Sequence, residues 1–341
     1  MCQVSDIYIV DTMNTNSYLN LAIEEYLCEH FEEKTAILYL WQNANTVVIG
    51  QNQSAYSQCN ISQIEKAGAH IARRRSGGGA VYHDLGNLNY TFISQNRENV
   101  CDDNFHIILQ MLKSVGIEAE FSGRNDILVA GKKISGNAFL CDDRMMCQHG
   151  TLLVDTNQNE MYRLLRIDDE KWKDKGIMSA QSRTANIVDF LPDISVDILK
   201  QRLTDEFCAF YPNAKIHDEL DENNSYFNQE ELIRLTQKYG SDEWIFEKRF
   251  EESMHLQNKF AWGQIDISFL IQKNMIMDAI FLSDAMDTAL ISEMNRRIRK
   301  IPFKRENVLA IFSTLETQYG STSILNDIKN MIIEEIPGNK R

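Results

Sequence analysis

Apolar residues recur along this chain in two rhythms, and the change from one to the other marks out its architecture. Residues 6–10 alternate as a short strand. Directly after them Leu19, Ala22, Ile23, Tyr26 and Leu27 fall at helical spacing, which predicts a helix with one core-facing stripe. Asn14 and Asn16 offer caps, and Glu24 and Glu25 are expected on its wet side. Residues 36–41 and 46–49 are apolar and partly β-branched, and are expected to close as a hairpin at Asn43, Ala44 and Asn45. A short helix follows over 60–67, with Asn60 and Gln63 at capping-box spacing and Gly68 as its stop.

Strands are expected at 80–83 and 88–93, a helix at 105–115 ended by Gly116, and three antiparallel strands over 127–130, 134–141 and 144–154. From there the rhythm turns helical, at 160–165, 187–191, 196–210 and 230–239. The segment 217–228 is polar and acidic, and 241–258 is charged with little periodicity. Beyond it, 259–271 and 275–282 read as a hairpin, followed by helices at 288–299, 305–314 and 323–336. Runs of strands giving way to runs of helices indicate α+β. The expected division is a large domain over 1–248, a linker over 249–258 and a small domain over 259–341.

At 341 residues the chain is long enough for that division. A formal net charge of -14 argues against a general nucleic-acid binder, so any anion site must be a local exception. Seven cysteines without a CxxC pair predict neither a disulfide framework nor a zinc site, and a reducing cytoplasm is the expected setting. The amino terminus has no basic start or long apolar run, and no stretch of about 18 apolar residues occurs, so neither a signal peptide nor a membrane partner is expected.

The densest chemistry lies at residues 73–83, RRRSGGGAVYH. Arg73, Arg74 and Arg75 run through Ser76 into Gly77, Gly78 and Gly79, so cationic side chains adjoin backbone bare enough for a phosphate or acyl chain. The triplet lies between strand-like runs, whereas Rossmann and P-loop glycines precede a long helix, and both readings weaken. A sheet bulge and a solvated basic patch are the plainer alternatives.

Lys132 and Lys133 stand at a hairpin turn, where lysines are usually solvated, but Lys133 is expected to have entered the strand. An ammonium held there could bridge a phosphate and an acyl oxygen. Asn125 and Asp126 would lie near it if the flanking strands pair; Asp126 would then either help hold Mg2+ on phosphates or simply pair with Lys133. His83 and His149 lie on strands, the latter followed by Gly150 and Thr151, another sign of close backbone approach. Cys141 and Cys147 flank one hairpin and read as packing residues without an adjacent base. Residues 296–305, RRIRKIPFKR, are either a solvated helix end or a docking patch for an acidic partner.

Taken together, Trp41 with TVVIG at 46–50, the 73–87 stretch, GRND at 123–126, KISGNA from Lys133, HGTLL from His149 and KGIMSAQSRTANI at 175–187 resemble the lipoate-protein ligase family, in its order and spacing. The resemblance implies a biotin/lipoyl ligase-like large domain with mainly antiparallel sheets and a small α+β carboxy-terminal domain. It also implies an enzyme that activates lipoate with ATP and Mg2+ to lipoyl-AMP. The lipoyl group then passes to a lysine of a lipoyl domain in a 2-oxoacid dehydrogenase or a glycine-cleavage H protein, and the enzyme is expected to be a monomer. Lys133 matches the lysine that contacts both the α-phosphate and the lipoyl carboxyl. Arg74 and the glycine stretch Gly77, Gly78, Gly79, Ala80, Val81 and Tyr82 match the nucleotide-binding segment; Ser76, His83, Asn125, Asp126, His149 and Thr151 match positions around the adenylate, and Asp126 would meet the metal. The chain departs from the family after Trp244, where Glu247 stands in a glycine's place and the usual proline is missing. The rival readings are an ATP-independent lipoyl or octanoyl amidotransferase, whose cysteine is missing from 123–126, a biotin ligase, and a lipoyl-AMP-dependent transferase or carrier without the activation step.

Overall fold

The computed structural model describes residues 4–122, 125–166, 183–246 and 252–336. The chain runs through β1 (Asp6–Asp11), α1 (Ser17–Glu29), β2 (Thr35–Trp41), β3 (Thr46–Ile49), α2 (Ala55–Gln58), α3 (Ile61–Ala67) and β4 (His70–Arg73). It continues through β5 (Val81–His83), β6 (Asn87–Gln95), α4 (Val100–Ser114), β7 (Glu120–Phe121), β8 (Asp126–Val129), β9 (Lys132–Cys141), β10 (Met145–Leu153) and β11 (Lys215–Leu220). The carboxy-terminal strands are β12 (Met254–Phe260), β13 (Gly263–Gln272), β14 (Met275–Ser283) and β15 (Ile301–Pro302).

Two compact units form. The first comprises Met1–Ile49, Ala55–Arg74 and Ala80–Ile245, the second Gly50–Ser54, Arg75–Gly79 and Phe246–Arg341. In the first, an eight-stranded mixed sheet has the order β11-β1-β2-β6-β10-β9-β8-β7. It is parallel across β11, β1 and β2 and antiparallel from β2 onward. Strand β2 is buried on both faces because alternate residues serve two cores. Ala36, Leu38 and Leu40 pack with α4 and the helix Val196–Phe210, while Ile37, Tyr39 and Trp41 pack with α1 and the helix Gln229–Tyr239. A three-stranded sheet, β4-β3-β5, carries Arg73 and His83 at strand ends.

The second unit has the antiparallel sheet β12-β13-β14-β15. Ile265, Ile267 and Phe269 alternate inward to meet Leu290, Phe312 and Ile328 from three helices, Thr288–Arg297, Arg305–Tyr319 and Ser323–Glu334. Among the described residues no helix is long and apolar enough to cross a membrane.

Several expectations need correction. β2 and β3 do not form a hairpin: they belong to different sheets, β2 pairing with β1 and β6, and β3 with β4 and β5. Asn60 is the N-cap of α3 but makes no side-chain cap bond. The stretch read as polar from 217 contains most of β11, an edge strand that pairs in parallel with β1. Edge strands carry polar residues by design, which hides them from a hydrophobic pattern. The expected strand over 259–271 is the end of β12 and the whole of β13. Within the stretch read as a linker, 247–251 lie outside the described residues and 254–258 are strand. The basic run at 296–305 is partly neutralised: Arg296 and Arg297 pair with Glu293, whose carboxyl they hold down at about 2, and Arg299 pairs with Asp278 at 3.0 Å.

Candidate functional site

Strand β10 organises the polar chemistry of the first unit. Residues opposite one another in an antiparallel pair share a face. The register sets His149 beside Thr91, Thr91 beside Tyr39, and Cys147 beside Ile93. Helix α1 covers this face, and Glu24 and Glu25 are buried rather than wet, 7% and 6% exposed. Each acid has an internal partner: Lys238 Nζ reaches both Glu25 oxygens at 2.7 Å, and Glu24 accepts from His149 Nδ1 at 2.8 and 2.9 Å. Thr91 Oγ1 donates to Glu24 at 2.8 Å and Trp41 Nε1 donates to Thr91 at 3.1 Å. Because a carboxylate only accepts, His149 carries its proton on Nδ1.

Arg74 and His83 join this cluster. The Arg74 guanidinium is buried and donates to the Val48 carbonyl at 3.2 Å. Burial pulls it down to about 10, and the nearby Glu24 carboxylate works the other way. Burial, then Arg74 and His149, pull the His83 imidazole down to about 3, so it is neutral at physiological pH. Asn20 Nδ2 donates to Asn43 Oδ1 at 3.0 Å, which turns Asn43 Nδ2 toward His83 Nδ1 at 3.0 Å. Nδ1 therefore accepts, the proton sits on Nε2, and this buried donor has no hydrogen-bond partner among the described residues. A buried unanswered donor costs about 1–3 kcal/mol, which an anionic ligand oxygen would recover.

The second cluster is built by the β8–β9 hairpin. Ala130 and Gly131 both have positive φ, 49° and 76°, and make the two-residue turn. Lys132, the first residue after it, is exposed. An irregularity in register between Ile127 and Leu128 sets Lys133 opposite Leu128 and Asp126 opposite Gly136. Lys133 is also held from its other side: its N–H donates to the Arg183 carbonyl at 2.8 Å and its carbonyl accepts from Ala185 N at 3.0 Å. Its ammonium lies 2.7 Å from Asp126 Oδ1, both side chains about a third exposed at 35% and 30%. A Cβ on Gly136 would stand 2.9 Å from Lys133 Nζ, so glycine there makes room for the pair. Thr151 Oγ1 accepts from Gly136 N at 3.2 Å, and Asn125 exchanges bonds with Asn137, 2.8 Å and 3.2 Å. Gly150 plays the same part for Tyr90, whose hydroxyl passes over it to reach Asn137 Oδ1 at 2.6 Å.

The other expected site residues are placed differently. Arg73 is not part of an anion patch: its guanidinium donates to the carbonyls of Trp244 and Ile245 at 2.5 to 3.0 Å, and Trp244 Nε1 returns a bond to the Arg73 carbonyl at 2.8 Å. Val81 pairs with Val48, and the Tyr82 hydroxyl donates to Asn45 at 3.1 Å. The chain passes from the first unit to the second after Arg74 and returns at Ala80, so Ser76, Gly77, Gly78 and Gly79 belong to the second. There Ser76 is buried, Gly78 has φ of 86°, and a Cβ on Gly77 would collide with the Ala285 carbonyl and stand 2.9 Å from Met286 Cα. Gly123, Arg124 and residues 175–182 of the expected motifs lie outside the described residues. Sequence reasoning missed Glu24, Asn43, Thr91 and the space-making role of Gly136. It also missed the surroundings of Cys147, whose sulfur has Glu24 and His149 ligand atoms within 4.8 Å.

Fold and site together define a class: an α+β enzyme with a large unit, which carries a lysine–aspartate pair and a buried arginine–histidine cluster, and a smaller second unit. Residues 16–208 match the lipoyl protein ligase A/B catalytic domain, and residues 250–332 match the bacterial lipoate protein ligase C-terminus. A relative from Psychrobacter cryohalolentis, lipoate-protein ligase A, is 34% identical over 336 residues, 97% of this chain and 99% of its own. Among solved structures, P. falciparum LipL1 in complex with lipoate aligns with a TM-score of 0.84 at 30% identity, over 96% of this chain and 100% of that one. The bipartite lipoate protein ligase of Thermoplasma acidophilum, described with its E2 lipoyl domain, aligns at 0.62 with 25% identity, over 74% of this chain and 100% of that one. The chain belongs to the lipoate-protein ligase family, and is a ligase enzyme.

Proposed function

We propose that the protein activates lipoate with MgATP to lipoyl-AMP and then transfers the lipoyl group to one lysine of a lipoyl domain. The acceptors are the E2 subunits of 2-oxoacid dehydrogenases and the glycine-cleavage H protein. The observation that carries this reading is the Lys133 ammonium, clamped through its backbone and aimed by Asp126 beside the bare backbone of Gly136. In the first step a lipoate carboxylate oxygen attacks the α-phosphorus and pyrophosphate leaves. The carboxylate is a weak nucleophile, so positioning and charge neutralisation supply most of the rate. Lys133 exchanges its carboxylate partner for the α-phosphate and lipoyl carboxyl oxygens, while Arg74 and the His83 Nε2–H act on the ligand's anionic part.

In the second step the acceptor amine, having lost its proton, attacks the acyl carbon and AMP leaves. Lys133 holds both oxygens across that exchange. Asn125, Tyr82, His149 and Thr151 complete the proposed adenylate surroundings. One carboxylate, Asp126, with the Asn125 amide beside it fits a Mg2+ that is bound mostly by phosphate oxygens, and the ion would offset phosphate charge there. The lipoate-bound P. falciparum relative and the lipoyl-domain partner of the T. acidophilum relative support the choice of acyl group and acceptor.

The test is pyrophosphate release from ATP by the full-length chain. Release that requires lipoate, followed by acceptor lipoylation, is expected, and the serine variant of Cys147 should retain both. ATP-independent transfer abolished by Cys147→Ser would establish the amidotransferase reading instead. Lipoylation only from supplied lipoyl-AMP would mean that the activation step is missing.

A further inference from the structure

A set of metal-binding side chains lies where cysteine spacing gives no hint of one. Cys147 and His149 are two residues apart on β10, so they point to the same face, and α1 brings Glu24 over them. One thiol, one imidazole nitrogen and one carboxylate oxygen lie within 4.8 Å of each other. All three residues are buried: 1%, 9% and 7% exposed. Their ligand types are those of a borderline cation, and tetrahedral zinc sites combine thiolate, imidazole and carboxylate at about 2.0–2.3 Å from the ion. The residues that would hold the first ligands in place are present, since Thr91 donates to the Glu24 carboxylate and Trp41 donates to Thr91.

We propose that Glu24, Cys147 and His149 form a binding site for a divalent transition ion of the zinc type, with the fourth tetrahedral position left to water. The protons balance. Cys147 releases its thiol proton to solvent and binds as thiolate; the His149 proton that faces Glu24 leaves Nδ1, which binds the ion, and the ring keeps a proton on Nε2; Glu24 binds through one carboxylate oxygen. The ion replaces the direct His149–Glu24 hydrogen bond, which requires N and O to separate from 2.8 Å to about 3.3 Å, the spacing across a tetrahedral centre with bonds near 2.0 Å. The Arg74 guanidinium acts on Glu24 and adds positive charge next to the site, while loss of the thiol proton removes one of the two charges that the ion brings.

The site reads directly by metal binding and does not depend on the catalytic proposal. Apo full-length protein is titrated with Zn2+ and, separately, with Co2+, whose thiolate-to-metal absorption in the near ultraviolet reports a sulfur ligand. One equivalent bound, a Co2+–thiolate band and a rise in unfolding temperature with Zn2+ are expected. Cys147→Ser should remove the band and weaken binding at least ~10-fold, and Glu24→Gln should weaken it while retaining the band. A wild-type chain that binds no equivalent of either ion overturns the proposal. So does unchanged binding in a Cys147→Ser protein whose circular dichroism is native, which would place the metal on other cysteines. If Cys147→Ser does not fold, Glu24→Gln decides: unchanged affinity there also overturns it.

Discussion

Adding one methyl group at Gly136 should separate catalysis from stability. The Cβ of Gly136→Ala would stand 2.9 Å from Lys133 Nζ and 3.1 Å from its Cε, against about 3.4 Å for ordinary contact. The ammonium must therefore retreat by about 0.5 Å, and its long side chain lets it do so. The folding cost is small, because the Lys133–Asp126 pair is a third exposed and worth about 0–1 kcal/mol, and replacing a strand glycine by alanine returns about 0.4–1 kcal/mol. The catalytic cost is larger: a misplacement of about 1 Å costs roughly 100-fold, so half that distance gives about 10-fold. Lipoate-dependent pyrophosphate release should fall by about that factor, with the unfolding midpoint within about 1 kcal/mol of wild type. Wild-type activity in the alanine variant would refute the placement of Lys133 at the reacting groups. An activity loss matched by an equal loss of stability would make Gly136 a packing residue only.

Other outcomes follow from the same geometry. Lys133→Ala should lose both half-reactions, by at least ~100-fold, and Lys133→Arg should not rescue them, because a planar fork cannot replace a point charge in a fitted space; lipoyl-AMP formation and transfer from supplied lipoyl-AMP are the two assays. His83 has a folded value of about 3 against 6.5 when unfolded, so below pH 6.5 the unfolded chain binds the extra proton and stability falls as pH drops toward 3. Urea unfolding at about pH 7 and about pH 5 should show a loss of order 2 kcal/mol from this ring, absent from His83→Gln. Gly77→Ala places a methyl against the Ala285 and Met286 backbone and should cost about 1–3 kcal/mol by thermal unfolding of the whole chain. Gly150→Ala should cost a similar amount by displacing the Tyr90 hydroxyl from Asn137, with no rescue by excess lipoate.

The fold was most legible where burial is one-sided and the rhythm is regular. The helix over 196–210 is read to its exact bounds, Val196–Phe210, because Leu199, Leu203 and Phe207 form one buried stripe. Pairing was less legible. β2 and β3 both look like hairpin strands, but the choice between closing on each other and joining separate sheets depends on β6 and β4, which are distant in sequence. β11 was hidden because only Ile216 and Leu220 are apolar, and Ile216 is half exposed at the sheet edge.

At the site, charge was read correctly as local and incorrectly as exposed. A glutamate on an amphipathic helix belongs in water unless something buried answers it, and the answers to Glu24, His149 and Thr91, are 125 and 67 residues away. No local pattern encodes such a pair. The strand period does encode half of it: Met145, Cys147, His149 and Thr151 alternate on β10, so the face that begins apolar in the core turns polar at His149. The same reasoning divides the arginine run. Arg73 ends β4 and Arg74 follows it, and one fixes Trp244 and Ile245 while the other is buried beside Glu24 and His83. A run of like charges is therefore not one patch but separate tasks, Arg73 tied to the chain near Trp244 and Arg74 set in the buried cluster around Glu24.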